Sequence, residues 1–179
     1  GGDSIGPDHA ALVVVLFHGR RRQTGDTNAV AAHFKELGLG VKTKDGKYLP
    51  IDTPKLDPVW ARCGELGIPV LMHTADPTAF FTPLDKHNER LKELADHPEW
   101  LFMKEEYPTK AELLEQRNRV LARHPGTQFI AAHMASMPEN LALLQQWLDQ
   151  FPNLYVDCSA RLSELGRQPY TAREFFIKN

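Results

Sequence analysis

The stretch Gly67-Ile68-Pro69-Val70-Leu71-Met72-His73-Thr74-Ala75-Asp76-Pro77 decides the fold. A short apolar run, Ile68 to Met72, has glycine behind it and polar residues ahead, the pattern of a strand buried on both faces. His73 falls where that strand ends. In parallel α/β folds, ligands and chemistry collect at the carboxyl ends of strands, so other strands that end in the same way carry weight.

Upstream, Asp52 or Thr53 is placed to cap a helix with Pro54 in its first turn. Leu56, Val59, Trp60, Cys63 and Leu66 recur at helical spacing until Gly67 stops the helix. Lys42 to Pro50 reads as a hairpin-like surface loop around Asp45-Gly46. Ala29 to Leu37 is a short strand or helix terminated by Gly38 and Gly40. Residues 1–28 form an atypical N-terminal segment. Within it, Ala10 to Phe17 predicts a strand ending at His18, and the basic run Arg20-Arg21-Arg22 reads first as a solvated turn.

Downstream of His73 a long insertion precedes the next long helix. It holds the aromatic pair Phe80-Phe81, an amphipathic stretch from Leu84 to Ala95 stopped at His97-Pro98, and then Trp100, Phe102 and Tyr107. Insertions of this length after a strand cover the active face in barrel enzymes, which makes this one a candidate lid. Thr109 and Glu112 form a capping box for a helix running to about His124. Thr127 to Ala132 is the next apolar run, and it leads into His133. Ser136 to Glu139 caps a helix through Leu141, Leu144, Leu148 and Phe151, and Leu154 to Val156 is a third strand, leading to Asp157. Residues 160–179 read as two helical pieces split at Pro169. Three consecutive strand-helix units of this kind predict an α/β domain with a parallel sheet.

Composition narrows the class. The chain has 179 residues, 42% hydrophobic and 25% charged, with a net charge of −2, which suits one globular domain and gives no basic excess for binding nucleic acid. Two isolated cysteines, Cys63 and Cys158, make neither a disulfide framework nor a zinc ribbon, and weakly favour a reducing, cytoplasmic setting. No apolar run reaches the length of a membrane span. A small-molecule substrate is the expected partner, and a homo-oligomer is compatible with the composition.

His73 and His133 each follow an apolar run of about five residues. Strand alternation puts His73 on the face of Pro69 and Leu71, and His133 on that of Phe129 and Ala131. Neighbouring strands in a barrel would aim both imidazoles at its mouth, the way a catalytic metal is held. A hydrogen-bonded structural role is the competing reading for either histidine taken alone. Asp157 is a second-shell partner or a metal-facing carboxylate, unless it caps the following helix. Asp76, Arg161 and Arg167 are candidate substrate-binding residues, the arginines through bidentate pairing with a carboxylate, against an ordinary surface position for each. A Gly-rich phosphate loop, a G-x-S-x-G elbow and a C-x-x-C motif do not occur.

Several segments together carry a family resemblance. They are Leu56-Asp57-Pro58-Val59-Trp60, Ile68 through Pro77, Asn88-Glu89-Arg90, Phe129-Ile130-Ala131-Ala132-His133, Tyr155-Val156-Asp157 and Arg161 through Arg173. From about Phe34 onward the chain resembles the amidohydrolase-2 branch of the metal-dependent amidohydrolase superfamily, the branch that includes aminocarboxymuconate-semialdehyde decarboxylase. The resemblance implies that residues 29–179 form a partial (β/α)8 TIM-type barrel, roughly strands four to seven with their helices. It implies a divalent metal, with zinc the expected ion, His73 as the ligand on strand five, and His133 as the strand-six histidine that is both a metal residue and catalytic. The implied reaction is hydrolysis, or a related decarboxylation, of a small carbonyl or carboxylate compound. Two departures bear on whether this chain is itself an enzyme. The H-x-H ligand pair of the family's first strand does not occur, and Asn179 is reached before any strand ending in the family's last aspartate. The alternative expectation is a non-catalytic barrel fragment that docks on a partner through an open sheet edge.

Overall fold

The computed structural model describes residues 42–75 and 77–179 in full, together with the backbone of β1 (Val15–Leu16) and β2 (Ala32–Phe34). His18, the run Arg20 to Arg22, Gly38, Gly40 and Asp76 lie outside the described residues. The stretch left open between strand and helix contains β2.

Three further strands complete one sheet: β3 (Val70–Met72), β4 (Phe129–Ala131) and β5 (Leu154–Val156), in the order β1-β2-β3-β4-β5. Strand β1 is antiparallel to β2; β2 to β5 are parallel, as the strand-helix alternation predicts. Phe34, Met72, Ala131 and Val156 are register partners from strand to strand, so the carboxyl ends stand level. Val70, Met72, Phe129 and Ala131 are buried, while Leu71 and Ile130 between them are half-buried, so both faces of the central strands are covered.

Helix α1 (Asp57–Glu65) is entered through a 3-10 turn, Pro54–Leu56, and seats Trp60 and Cys63 in the core. The expected side-chain cap is absent. Thr53 makes no capping hydrogen bond, and the Asp52 carboxylate instead accepts one from Arg119 Nε at 2.6 Å. Gly67 takes a left-handed φ of +63°, as a helix-ending residue should. Gly64 is packed against the turn before β4, where a Cβ would meet Thr127 Oγ1 at 2.5 Å, so this helix sits closer to the sheet than any other residue there would allow.

In the insertion, between 3-10 turns at Thr78–Phe81 and Pro98–Trp100, the α-helix α2 (Leu91–Asp96) is shorter than the amphipathic stretch predicted, because Asn88 organises the preceding loop. Its side-chain amide donates to the carbonyls of Ala79 and Pro83 while its oxygen accepts from the Arg90 N–H. Ala79, Phe80 and Leu94 form a small core of their own, joined by Phe81, Leu101 and Phe102. Two ion pairs tie this insertion to the C-terminal part of the chain: Arg90 to Glu164 and Glu89 to Arg167, both at 2.7 Å.

Helix α3 (Lys110–Arg123) opens on the predicted capping box, with Thr109 Oγ1 accepting from the Glu112 N–H. After β4, one turn, α4 (Ala132–Ala135), precedes α5 (Leu141–Gln150). The cap of α5 is Asn140, whose oxygen accepts from the Leu143 N–H, and not the predicted Ser136. Ser136 is drawn away to the end of β3, where its hydroxyl donates to the Thr74 carbonyl. The chain ends in α6 (Leu162–Gly166) and α7 (Pro169–Lys178), split at Pro169 as predicted.

Candidate functional site

The rings of His73 and His133 meet edge to face, with centroids 4.9 Å apart and planes at 90°. Strand geometry alone does not bring them together. Partners in register point to the same side of a sheet, so Met72 and Ala131 share one side and Leu71 and Ile130 share the other. Continued extension would place His73 with Leu71 and His133 with Ala131, on opposite sides. The chain reverses this at His133, which takes φ 60° and ψ 50°, and Met134, Ala135 and Ser136 are left-handed as well, with φ between 52° and 57°. Four non-glycine residues in this region are costly, about 1–2 kcal/mol each. Left-handed Ala75 and Ala160 follow β3 and β5, so the ends of β3, β4 and β5 all store strain, which persists only where its surroundings hold it.

The surroundings of the His133 turn are specific. Asp157, at the end of β5, grips it twice: its carboxylate accepts the His133 N–H at 3.1 Å and its carbonyl accepts the Met134 N–H at 2.7 Å. Ser136 Oγ ties the turn to the Thr74 and Ala75 carbonyls beyond β3. Arg117 Nη1 donates to the Ala135 carbonyl at 2.7 Å from beneath.

His133 Nδ1 lies 2.9 Å from the Ser159 carbonyl oxygen and 3.2 Å from Ser159 Oγ. A carbonyl can only accept, so Nδ1 carries the proton in the neutral ring, and Nε2 keeps its lone pair. Ser159 Oγ donates to Asp157, whose oxygen also takes the Ser159 N–H. Burial pushes the Asp157 carboxyl upward, but the hydrogen bonds from Ser159 and His133 outweigh it and hold it below its ordinary range. Its carboxylate reaches the His133 ring through Ser159, whose carbonyl and hydroxyl face Nδ1.

The donor set suits a divalent ion in part. Two imidazoles at this spacing can reach a common ion about 2 Å from each nitrogen, and an oriented neutral His133 is the form that ligates. Among the described residues no group of three or more His, Cys, Asp or Glu is placed to hold a metal, so two imidazoles are what this end of the sheet offers an ion.

The other predicted site residues divide. Arg161, at the head of α6, is 6% exposed; its Nη1 donates to the Ala160 carbonyl and its Nε is buried without a partner among the described residues. The Arg167 guanidinium is engaged by Glu89 in the exposed pair already described. Asp76 lies outside the described residues. Sequence reasoning missed Ser159, Ser136 and Arg117. The signal for Arg117 was legible: it stands four residues from both Leu113 and Leu121, a cation on the apolar face of α3.

A family model described as amidohydrolase matches residues 18–178, and none of the curated proteins matches. Among solved structures, the chain is similar to an uncharacterized Tim-barrel protein from Bordetella bronchiseptica, at 17% identity and a TM-score of 0.41 over 72% of this chain and 33% of that one. It is also similar to 2,6-dihydroxybenzoate decarboxylase from Rhizobium, and to a 2,6-dihydroxybenzoate decarboxylase complexed with 2,6-dihydroxybenzoate. Each shows 19% identity and a TM-score of 0.41 over 73% of this chain and 43% of that one. The chain thus spans well under half the length of the solved structures it matches. Because the family match runs through both histidine-bearing strand ends and on through α6 and α7, the chain belongs to the amidohydrolase family.

Proposed function

We propose that the His73 and His133 pair is part of a divalent metal centre, with zinc the expected ion, for hydrolysis or decarboxylation of a small carbonyl or carboxylate compound. The observation that carries this reading is the convergence of the two rings at 4.9 Å, achieved against the alternation of the strands and at the expense of backbone strain. An ion held here would polarise a carbonyl oxygen and acidify a bound water. His133, with Nδ1 fixed by Ser159, presents Nε2 as ligand or as proton acceptor at the reacting group. Asp157 stabilises positive charge on that imidazole through the Ser159 link and the turn. Arg161, buried and with Nε open, is the group to receive a substrate carboxylate, where a charge-assisted hydrogen bond is strongest. Asp76 and Arg167 belong to the same proposal only at its rim, since Arg167 must first release Glu89.

A second reading, a barrel piece that docks on a partner, is favoured by β5, the last strand in the sheet order, where Tyr155 is 49% exposed. Zinc titration of the purified chain followed by calorimetry separates the two. On the first reading the chain takes up zinc, and His73→Ala and His133→Ala each weaken uptake about tenfold or more. Zinc affinity unchanged by His73→Ala, or no uptake by any form, sinks the metal reading for this chain and leaves docking.

A further inference from the structure

Arg117 is 1% exposed, and no carboxylate lies within ion-pair distance of it among the described residues. Its guanidinium stacks on Trp147 at 4.6 Å, Nε and Nη2 donate to the Asn118 side-chain oxygen, and Nη1 donates to the Ala135 carbonyl. Burying a charge without a counter-charge is expensive, and a leucine or methionine between α3 and α5 would fill the same space without that cost. What neither could do is donate a hydrogen bond to the left-handed turn. Burial lowers the Arg117 pKa to about 9, so the side chain remains a charged donor at neutral pH.

We infer that Arg117 is a positioning residue for His133: by holding the Ala135 carbonyl it keeps residues 133–136 left-handed and so turns the His133 ring toward His73. The inference rests on the metal-centre reading for its purpose, but its geometry stands apart from it. Asp157 and Ser136 hold the turn by its amides and hydroxyl from the level of the sheet; among the described residues, Arg117 is the side chain that hydrogen-bonds to it from the helix layer. Helix packing and the direction of an imidazole are thereby coupled through one hydrogen bond.

The test uses metal-free, isotope-labelled protein and nuclear magnetic resonance. In Arg117→Met, which keeps the apolar stem and removes the donor, the Cα and Cβ shifts of residues 133–136 are expected to leave left-handed values. The His133 ring nitrogens should move from the pattern of a single Nδ1-protonated tautomer toward an average of both, while the shifts of β3 and β5 hold. A folded Arg117→Met chain with left-handed shifts and a single tautomer overturns the inference, whatever its melting temperature. Should that variant not fold, the Arg117 side-chain Nη–H signals of the unaltered chain decide. Slow exchange with solvent and protection matching the core supports the bond to Ala135; exchange as fast as for the exposed Arg62 overturns it. A chain that fails to take up zinc but passes these measurements sinks the metal reading and keeps this one.

Discussion

The ends of β3 and β4 solve one problem in opposite ways. At β3, His73 follows directly on the last strand residue, Met72, which is 1% exposed and packed in the main core. At β4, the strand stops at Ala131 and His133 is delivered by a left-handed turn held by Asp157, Ser136 and Arg117. One histidine follows straight on from a buried strand; the other is delivered by a turn whose polar contacts work against strain. The difference teaches where each half of the site is vulnerable: the first fails only with the fold, the second can fail alone.

The most damaging change should be at the β3 end. Met72→Ala empties a fully packed position and is expected to cost about 2–5 kcal/mol of global stability, read as a lower denaturant midpoint. A loss under about 1 kcal/mol would show that packing does not hold this end.

Next comes Asp157→Ala, which removes the acceptor of the half-buried His133 N–H and of the exposed Ser159 N–H and hydroxyl, for about 1 kcal/mol. Hydrogen exchange at His133 should quicken while β3 stays protected. Acid should do the same to the unaltered chain. The folded carboxyl lies below its ordinary 3.8, so its stabilisation is complete above that value and is lost as pH falls through the lower, folded one. Protection at His133 that persists through this window would break the comparison. The smallest effect is the opposite in sign: Ala135→Gly relieves a left-handed alanine and, after the added freedom of the unfolded chain, should raise stability by about 1 kcal/mol or less. A lowered melting temperature would mean that the turn is not strained at Ala135.

Both histidine-bearing strand ends were legible from short apolar runs, and the capping box at Thr109 and the break at Pro169 were equally plain. The path by which His133 reaches His73 was not. Alternation assigns the two histidines to opposite sides once the register Met72↔Ala131 is known, and register is a property of the pairing, not of either strand. The segment Ala132 to Ser136 contains no glycine or asparagine to announce positive φ, so its conformation is imposed from outside by residues remote in sequence. The caps failed for a related reason: Asp52 and Ser136 have suitable side chains, but Arg119 and the Thr74 carbonyl compete for them more effectively. Arg167 and Glu89 were visible separately, and only the fold shows them as partners.

The insertion after β3 owns a core of three buried residues, Ala79, Phe80 and Leu94, outside the main cluster, and it reaches the C-terminal part of the chain through two charge pairs. Such a unit has its own opening equilibrium, with a free energy below that of global unfolding. The Glu89 and Arg167 pair is solvent-exposed and is weakened by salt, whereas Glu164 is almost wholly buried and its bond to Arg90 is screened far less. Ionic strength therefore loosens the Glu89 and Arg167 attachment before the Arg90 one, while Phe81, packed against the main core, and the Thr78 N–H bond to Glu139 still tie the insertion to the rest of the chain.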